Sequence, residues 1–168
     1  EKALEILEES PIDLVINMLS ISGIDPFELA NRIKARHTQV PIVVLTPFSR
    51  EVRQQLQRED LSSIDYVFSW LGDASILLAI IKLLEDKMNM EQDVKQQGVQ
   101  ALLLVEDSIR FYSSYLPNLY KIVLKQSREF MTEGLNEHKG MMRMRGRPKI
   151  MLATNYEDAL RLYHEYHD

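Results

Sequence analysis

Cysteine is absent from this chain, which rules out both a disulfide frame and a thiolate metal site and fits a reducing, cytoplasmic setting. Long apolar runs are absent as well. The longest, Ile76 to Ile81, is far short of the ~20 residues a membrane span needs, and no signal peptide opens the chain. A positive charge excess is missing too: the net charge of -5 argues against a nucleic-acid role for the surface as a whole. There is no glycine-rich phosphate loop and no catalytic histidine in a recognisable setting. What remains is a chain of 168 residues with 45% hydrophobic content, enough to bury one sizeable core with an appendage. It begins at Glu1, inside a helical pattern and without an initiator methionine, and so reads as a piece of something larger.

Apolar periodicity alternates strand with helix. Lys2 to Glu9 has the spacing of a short amphipathic helix, with Ala3, Ile6 and Leu7 on one face, closed by Pro11. Ile12 to Leu19 is a continuous apolar run of the kind covered on both faces in parallel sheets. Ser22-Gly23 is turn chemistry, and Pro26 opens a helix through Phe27, Leu29, Ala30 and Ile33. Val40 to Leu45 is a second buried strand, a polar helix runs from about Ser49 to Glu59, "SIDYVFSWL" is a third strand, and Ala74 to about Met90 is a strongly apolar helix. The polar stretch Asn89 to Gly98 reads as a linker. Beyond it come "VQALLLVEDS", a strand ending in two acids, a helical region from Ile109, the strand "RPKIMLATN" and a closing helix. This order predicts a parallel α/β sheet with helices on both faces. The first and last helices, "EKALEILEES" and "YEDALRLYHE", share an acid-x-Ala-Leu core.

Several of these segments resemble response-regulator receiver domains. "DLVINMLSISGIDPFEL" is similar to the phosphoacceptor strand and loop, "PIVVLTPFS" to the fourth strand with its switch hydroxyl, "DYVFSWL" to the fifth, and "LLLVEDS" to the first strand with its acidic pair. The element order departs from the family: three to five come first, one and two follow. The resemblance therefore implies the back half of a degenerate receiver over residues 1–88, a linker at 89–98, and the front half of a second receiver over 99–168, with a long helical insertion at about 109–147. It also implies a flavodoxin-like, doubly wound sheet of five parallel strands in the order 2-1-3-4-5, here circularly permuted, closed within one chain or by swapping between two.

In that family an aspartate after the third strand accepts a phosphoryl group, two acids after the first strand hold a divalent cation, and a hydroxyl and a lysine read the phosphate. Carried over residue by residue, the acidic pair is Glu106 and Asp107 and the switch hydroxyl is Thr46. The acceptor position holds Met18 and the lysine position Ser69, followed by Trp70 where proline is usual. A thioether cannot attack phosphorus, and a neutral hydroxyl cannot replace an ammonium. Asn17 lies on the opposite strand face from Met18 and is a poor substitute. The expectation is a vestigial or weak metal pair, no cofactor beyond weakly bound magnesium, and no catalysis by this chain.

Other features have plainer readings. "EHKGMMRMRGRPK" contains the "RGRP" core of a minor-groove hook at Arg145 to Pro148, but it leads straight into an apolar strand and reads as a solvated basic loop or a contact for an acidic partner. His164 and His167 share a helix face without carboxylate support for a metal. Tyr112, Tyr115, Leu116, Leu119, Tyr120 and Val123 form a stripe at helical spacing that reads as core. Phe111, Tyr115, Leu119, Ile122, Phe130, Met131 and Leu135 exceed what one sheet face covers, so one long helix or two should project as an association surface, including for a homodimer. The run from Glu106 to Leu160 also resembles tandem receivers placed ahead of phosphoenolpyruvate-synthase-like proteins. The functional expectation is a phosphorelay-type regulatory module acting through protein contacts, with no membrane or nucleic-acid partner. The alternative is a non-catalytic regulatory fragment of a phosphoenolpyruvate-synthase-like phosphotransferase.

Overall fold

The structure, a computed structural model, describes residues 2–19, 25–47, 49–133 and 147–167. Its elements are α1 (Lys2–Glu9), β1 (Val15–Met18), α2 (Pro26–Arg36), β2 (Ile42–Pro47), α3 (Arg50–Leu56), β3 (Tyr66–Trp70), α4 (Ser75–Met90), β4 (Ala101–Val105), α5 (Ile109–Glu133), β5 (Lys149–Ala153) and α6 (Tyr156–Tyr166). All strand pairs are parallel, so the chain is mixed α/β as its alternating pattern predicts. Among the described residues no helix is long and apolar enough to cross a membrane.

The chain forms two compact units, Glu1–Asp73 and Ala74–Asp168. The five strands do not join in one sheet: they form a three-stranded sheet of order β1-β2-β3 and a two-stranded sheet β4-β5. The parallel strands thus lie in two small sheets, and the expected five-strand order is not among the pairings formed within the chain. Apolar runs specify strands and their local register, but which edges meet across a long connection is not written in either run.

In the first unit, Asp25 caps α2 by accepting the Phe27 N–H at 2.9 Å, and Pro26 occupies the first turn where its missing donor costs nothing. The buried side of α2 packs Ala30 and Ile33 with Leu7 and Ile42, joined by Leu4, Ile12, Val15, Leu29 and Ile64. Asp65 fastens the start of the sheet. Its Oδ2 accepts the backbone N–H of Ile42 and the ammonium of Lys34, each at 2.9 Å, while its own N–H donates to the Ile42 carbonyl at 2.8 Å.

In the second unit α4 continues through one turn of π-helix, Glu91–Gln96, and ends at Gly98, whose φ of 66° and N–H bond to the Val94 carbonyl form a left-handed helix stop. Most of the segment expected to be an open linker is thus helical. Packing of α4 on α5 and β5 places it in the second unit rather than with the strands before it. Helix α5 runs unbroken through Pro117 to Glu133, one long helix; the remainder of the expected insertion, 134–146, lies outside the described residues.

The centre of this unit is charged. Asp86 of α4 is wholly buried, and its Oδ2 accepts from Tyr120 Oη at 3.0 Å, Arg147 Nη1 at 2.8 Å and the backbone N–H of Ile150 at 3.0 Å. Arg147 Nη2 lies 2.7 Å from Oδ1, and the guanidinium also lies over the Tyr120 ring at 5.5 Å. Lys149 extends the cluster, 3.6 Å from Asp86 and 2.6 Å from Asp93 in the π-helical turn. The neighbouring Glu85 carboxyl titrates below its ordinary value, chiefly through its hydrogen bond from Lys82, with the charges of Arg147 and Lys149 adding.

Breaking a buried pair from one side leaves the other charge uncompensated. Asp86→Ala should therefore destabilise the second unit by about 3–5 kcal/mol, read as a lower urea midpoint of the full chain. Because the folded state depresses the Glu85 pKa, its small contribution is present above the ordinary glutamate range and is lost as pH falls through the depressed value. Glu85→Gln should remove that part of the acid sensitivity.

Candidate functional site

The first sheet brings three of the singled-out residues to one end. Parallel register pairs Met18 with Leu45 and Thr46 with Ser69, so Met18, Thr46 and Ser69 stand at the carboxyl ends of adjacent strands. In open parallel sheets that end is where ligands bind. Thr46 and Ser69 are both buried, and the Thr46 hydroxyl donates to the Pro47 carbonyl at 3.1 Å. Met18 is 42% exposed. Trp70, which follows Ser69, is also partly exposed and pairs with Pro47 across the ladder.

Asn17 does a different task from its neighbour. It is buried, and its Nδ2 donates to the Pro26 carbonyl at 3.0 Å, fastening the end of β1 to the first turn of α2. The alternation along the strand separates it from Met18, as the sequence predicts, and its role is to hold the fold.

Glu106 and Asp107 belong to the second unit, at the carboxyl end of β4. The Glu106 N–H donates to the Ala153 carbonyl at 3.0 Å, which carries the ladder one residue past the strand. Its Oε1 accepts the Ser108 N–H at 3.0 Å, and the Ser108 carbonyl receives the Phe111 and Tyr112 amides at the start of α5. Half-buried Glu106 thus supports the strand-to-helix turn, while Asp107 is exposed. Among the described residues no group of three or more acidic, histidine or cysteine side chains is placed to hold a metal ion. The residues carried over from the receiver pattern are therefore split between the two units, Met18, Thr46 and Ser69 in one and Glu106 and Asp107 in the other.

The remaining candidates resolve simply. His164 and His167 lie on α6 and its end, with ring centroids 6.0 Å apart, and His167 stacks on Tyr163. Along α5, Tyr112, Leu116, Tyr120 and Val123 are buried as core, whereas Tyr115 is 45% exposed and stacks on exposed Phe111 with centroids 6.1 Å apart. Ile122 is exposed on the same helix. The side chains of Phe130 and Met131, all of Leu135, and the basic segment up to Gly146 lie outside the described residues.

No protein-family model matches the chain, and no solved structure matches it either. A curated protein named as a probable cyclic di-GMP phosphodiesterase, from Vibrio cholerae serotype O1, is 41% identical over 68 residues, covering 39% of this chain and 15% of that protein. The similarity therefore spans a small part of the relative's length.

Burial separates the two adjacent residues of β1. Asn17→Ala removes a donor and leaves the Pro26 carbonyl without this bond, at a cost of about 1–3 kcal/mol. Met18→Ala, at an exposed position, should fall within about 0.5 kcal/mol of the parent. Paired urea titrations of the two variants check the contrast.

Proposed function

We propose that this chain is a regulatory module of the receiver type which has lost its phosphoacceptor and works through protein contacts. The observation that carries the reading is Met18 at the carboxyl end of β1, beside the strand ends that present Thr46 and Ser69. Receiver chemistry would need a carboxylate nucleophile at the first of these positions and an ammonium at the last. A thioether supplies no phosphoryl acceptor and a neutral hydroxyl leaves the transferred charge uncompensated.

The strand orders agree with this reading. The groups β5-β4 and β1-β2-β3 correspond to the two ends of the flavodoxin-like order 2-1-3-4-5, in the sequence that back half followed by front half requires. Partial identity to a protein named as a cyclic di-GMP phosphodiesterase supports a signalling setting, with the phosphodiesterase activity remaining that protein's own. Exposed Phe111, Tyr115 and Ile122 on α5 provide apolar surface of the kind protein contacts use.

Two acids leave most of a magnesium ion's octahedral positions to water, so binding should be weak. Incubation of the full chain with acetyl phosphate and magnesium should leave its intact mass unchanged. A stable single-phosphoryl increment, mapped to a carboxylate near a strand end, would overturn the reading.

A further inference from the structure

Helix α6 packs on β4 and β5, and its half-buried residues Ala159, Leu162 and Tyr166 share one side. A second apolar side is left uncovered. Tyr156 is 72% exposed, Tyr163 55% and Leu160 42%, and His167, which caps the helix, stacks on Tyr163 with ring centroids 5.2 Å apart. Tyr156, Leu160, Tyr163 and His167 follow one another at spacings of four, three and four residues. That alternation makes a narrow seam of the kind along which one helix meets another, narrower than the face a helix lays on a sheet.

The charges beside the seam are sorted as well. Arg161 pairs with Asp158 and Glu165 on its own helix, and Glu165 also lies 3.6 Å from Lys95. Glu157 and His164 stand apart from this network. Both are exposed, and among the described residues neither forms an ion pair. They are seven residues apart, so they lie two turns from one another on the same flank of the seam, the flank opposite the half-buried side of α6. The seam thus carries an acid beside its amino end and an imidazole beside its carboxyl end.

We propose that this seam is covered by the same seam of a second copy of the chain, with the two α6 helices antiparallel about a two-fold axis. Leu160 of each copy then meets Tyr163 of the other, and Tyr156 meets His167. Glu157 of each copy comes beside His164 of the other, so opposite partners meet twice; a parallel pair would leave both without one. The complement is carried by α6 itself. Among the described residues the helices of the first unit expose a single large apolar side chain, Ile6, and the apolar side of α2 is already covered by Leu4 and Leu7 of α1. Three turns of helix, about 16 Å long, make a contact smaller than a standard interface, so the association is weak and concentration-dependent. This goes beyond the functional reading: it rests on α6 and not on receiver chemistry, and either can fail without the other.

Sedimentation equilibrium of the full chain, from about 10 μM to about 1 mM, should show its mass rising from 19.6 kDa toward twice that value. Leu160→Glu, at the centre of the seam, should keep the monomer mass throughout with the parent's circular dichroism; Tyr163→Glu takes its place if that variant fails to fold. His164→Glu sets acid against acid at both ends of the seam and should weaken association about tenfold. Adding Glu157→Lys to it restores opposite signs at both contacts and should return at least the parent's affinity. A parent that stays monomeric at the highest concentration, a Leu160→Glu variant that associates as the parent does, or a double variant no tighter than His164→Glu alone overturns the proposal.

Discussion

A buried carboxylate at the edge of β5 holds the second unit together. Asp86 joins three elements at once, accepting from Tyr120 on α5 and from the backbone of β5 while itself standing on α4. Burying an ion is costly unless its lone pairs are used, and here Arg147, Tyr120 and the Ile150 amide use them. The arrangement gives direction as well as cohesion. A hydrophobic patch could slide on β5, but a carboxylate that must meet one particular N–H cannot, so the position of α4 along the sheet is fixed by a single bond.

The first unit uses the same device at smaller scale. Asp65 takes the Ile42 amide and the Lys34 ammonium, tying the end of α2 to the start of the β2-β3 ladder. In both units an aspartate accepts a strand N–H and pairs with a cation, so each sheet is anchored at a defined residue. At the strand ends opposite the Asp65 anchor stand Met18, Thr46 and Ser69, in register through the parallel ladders that pair Met18 with Leu45 and Thr46 with Ser69.

Much of this was legible in the sequence. Runs such as "PIVVLT" and "ALLLV" announced parallel strands, the Asp25-Pro26 pair announced the start of α2, and the alternation of Asn17 with Met18 correctly separated a structural amide from an exposed thioether. The join between the halves was not legible, because a run of apolar residues specifies a strand without naming its neighbour. Asp86 was missed for a different reason: within "LLEDKMNM" it looks like one of a solvated charge cluster. Helical spacing held the missing signal, since Asp86 falls three residues after Leu83 and four before Met90, on the buried side of α4. An acid on the apolar face of a helix calls for a cation elsewhere in the chain, and Arg147 is that cation.

The separation between Asp86 and its partners bears on the order of events during synthesis. The Ile150 amide lies 64 positions further along the chain and Arg147 lies 61. As the protein leaves the ribosome, α4 emerges with an acid on its apolar face and nothing to neutralise it, while the three strands of the first unit are already complete. The first unit can therefore fold early, whereas the second must wait until β5 has been made. During synthesis the interval between α4 and its partners is set by the making of the more than sixty residues between them, and through that interval the apolar side of α4 stays uncovered by β5.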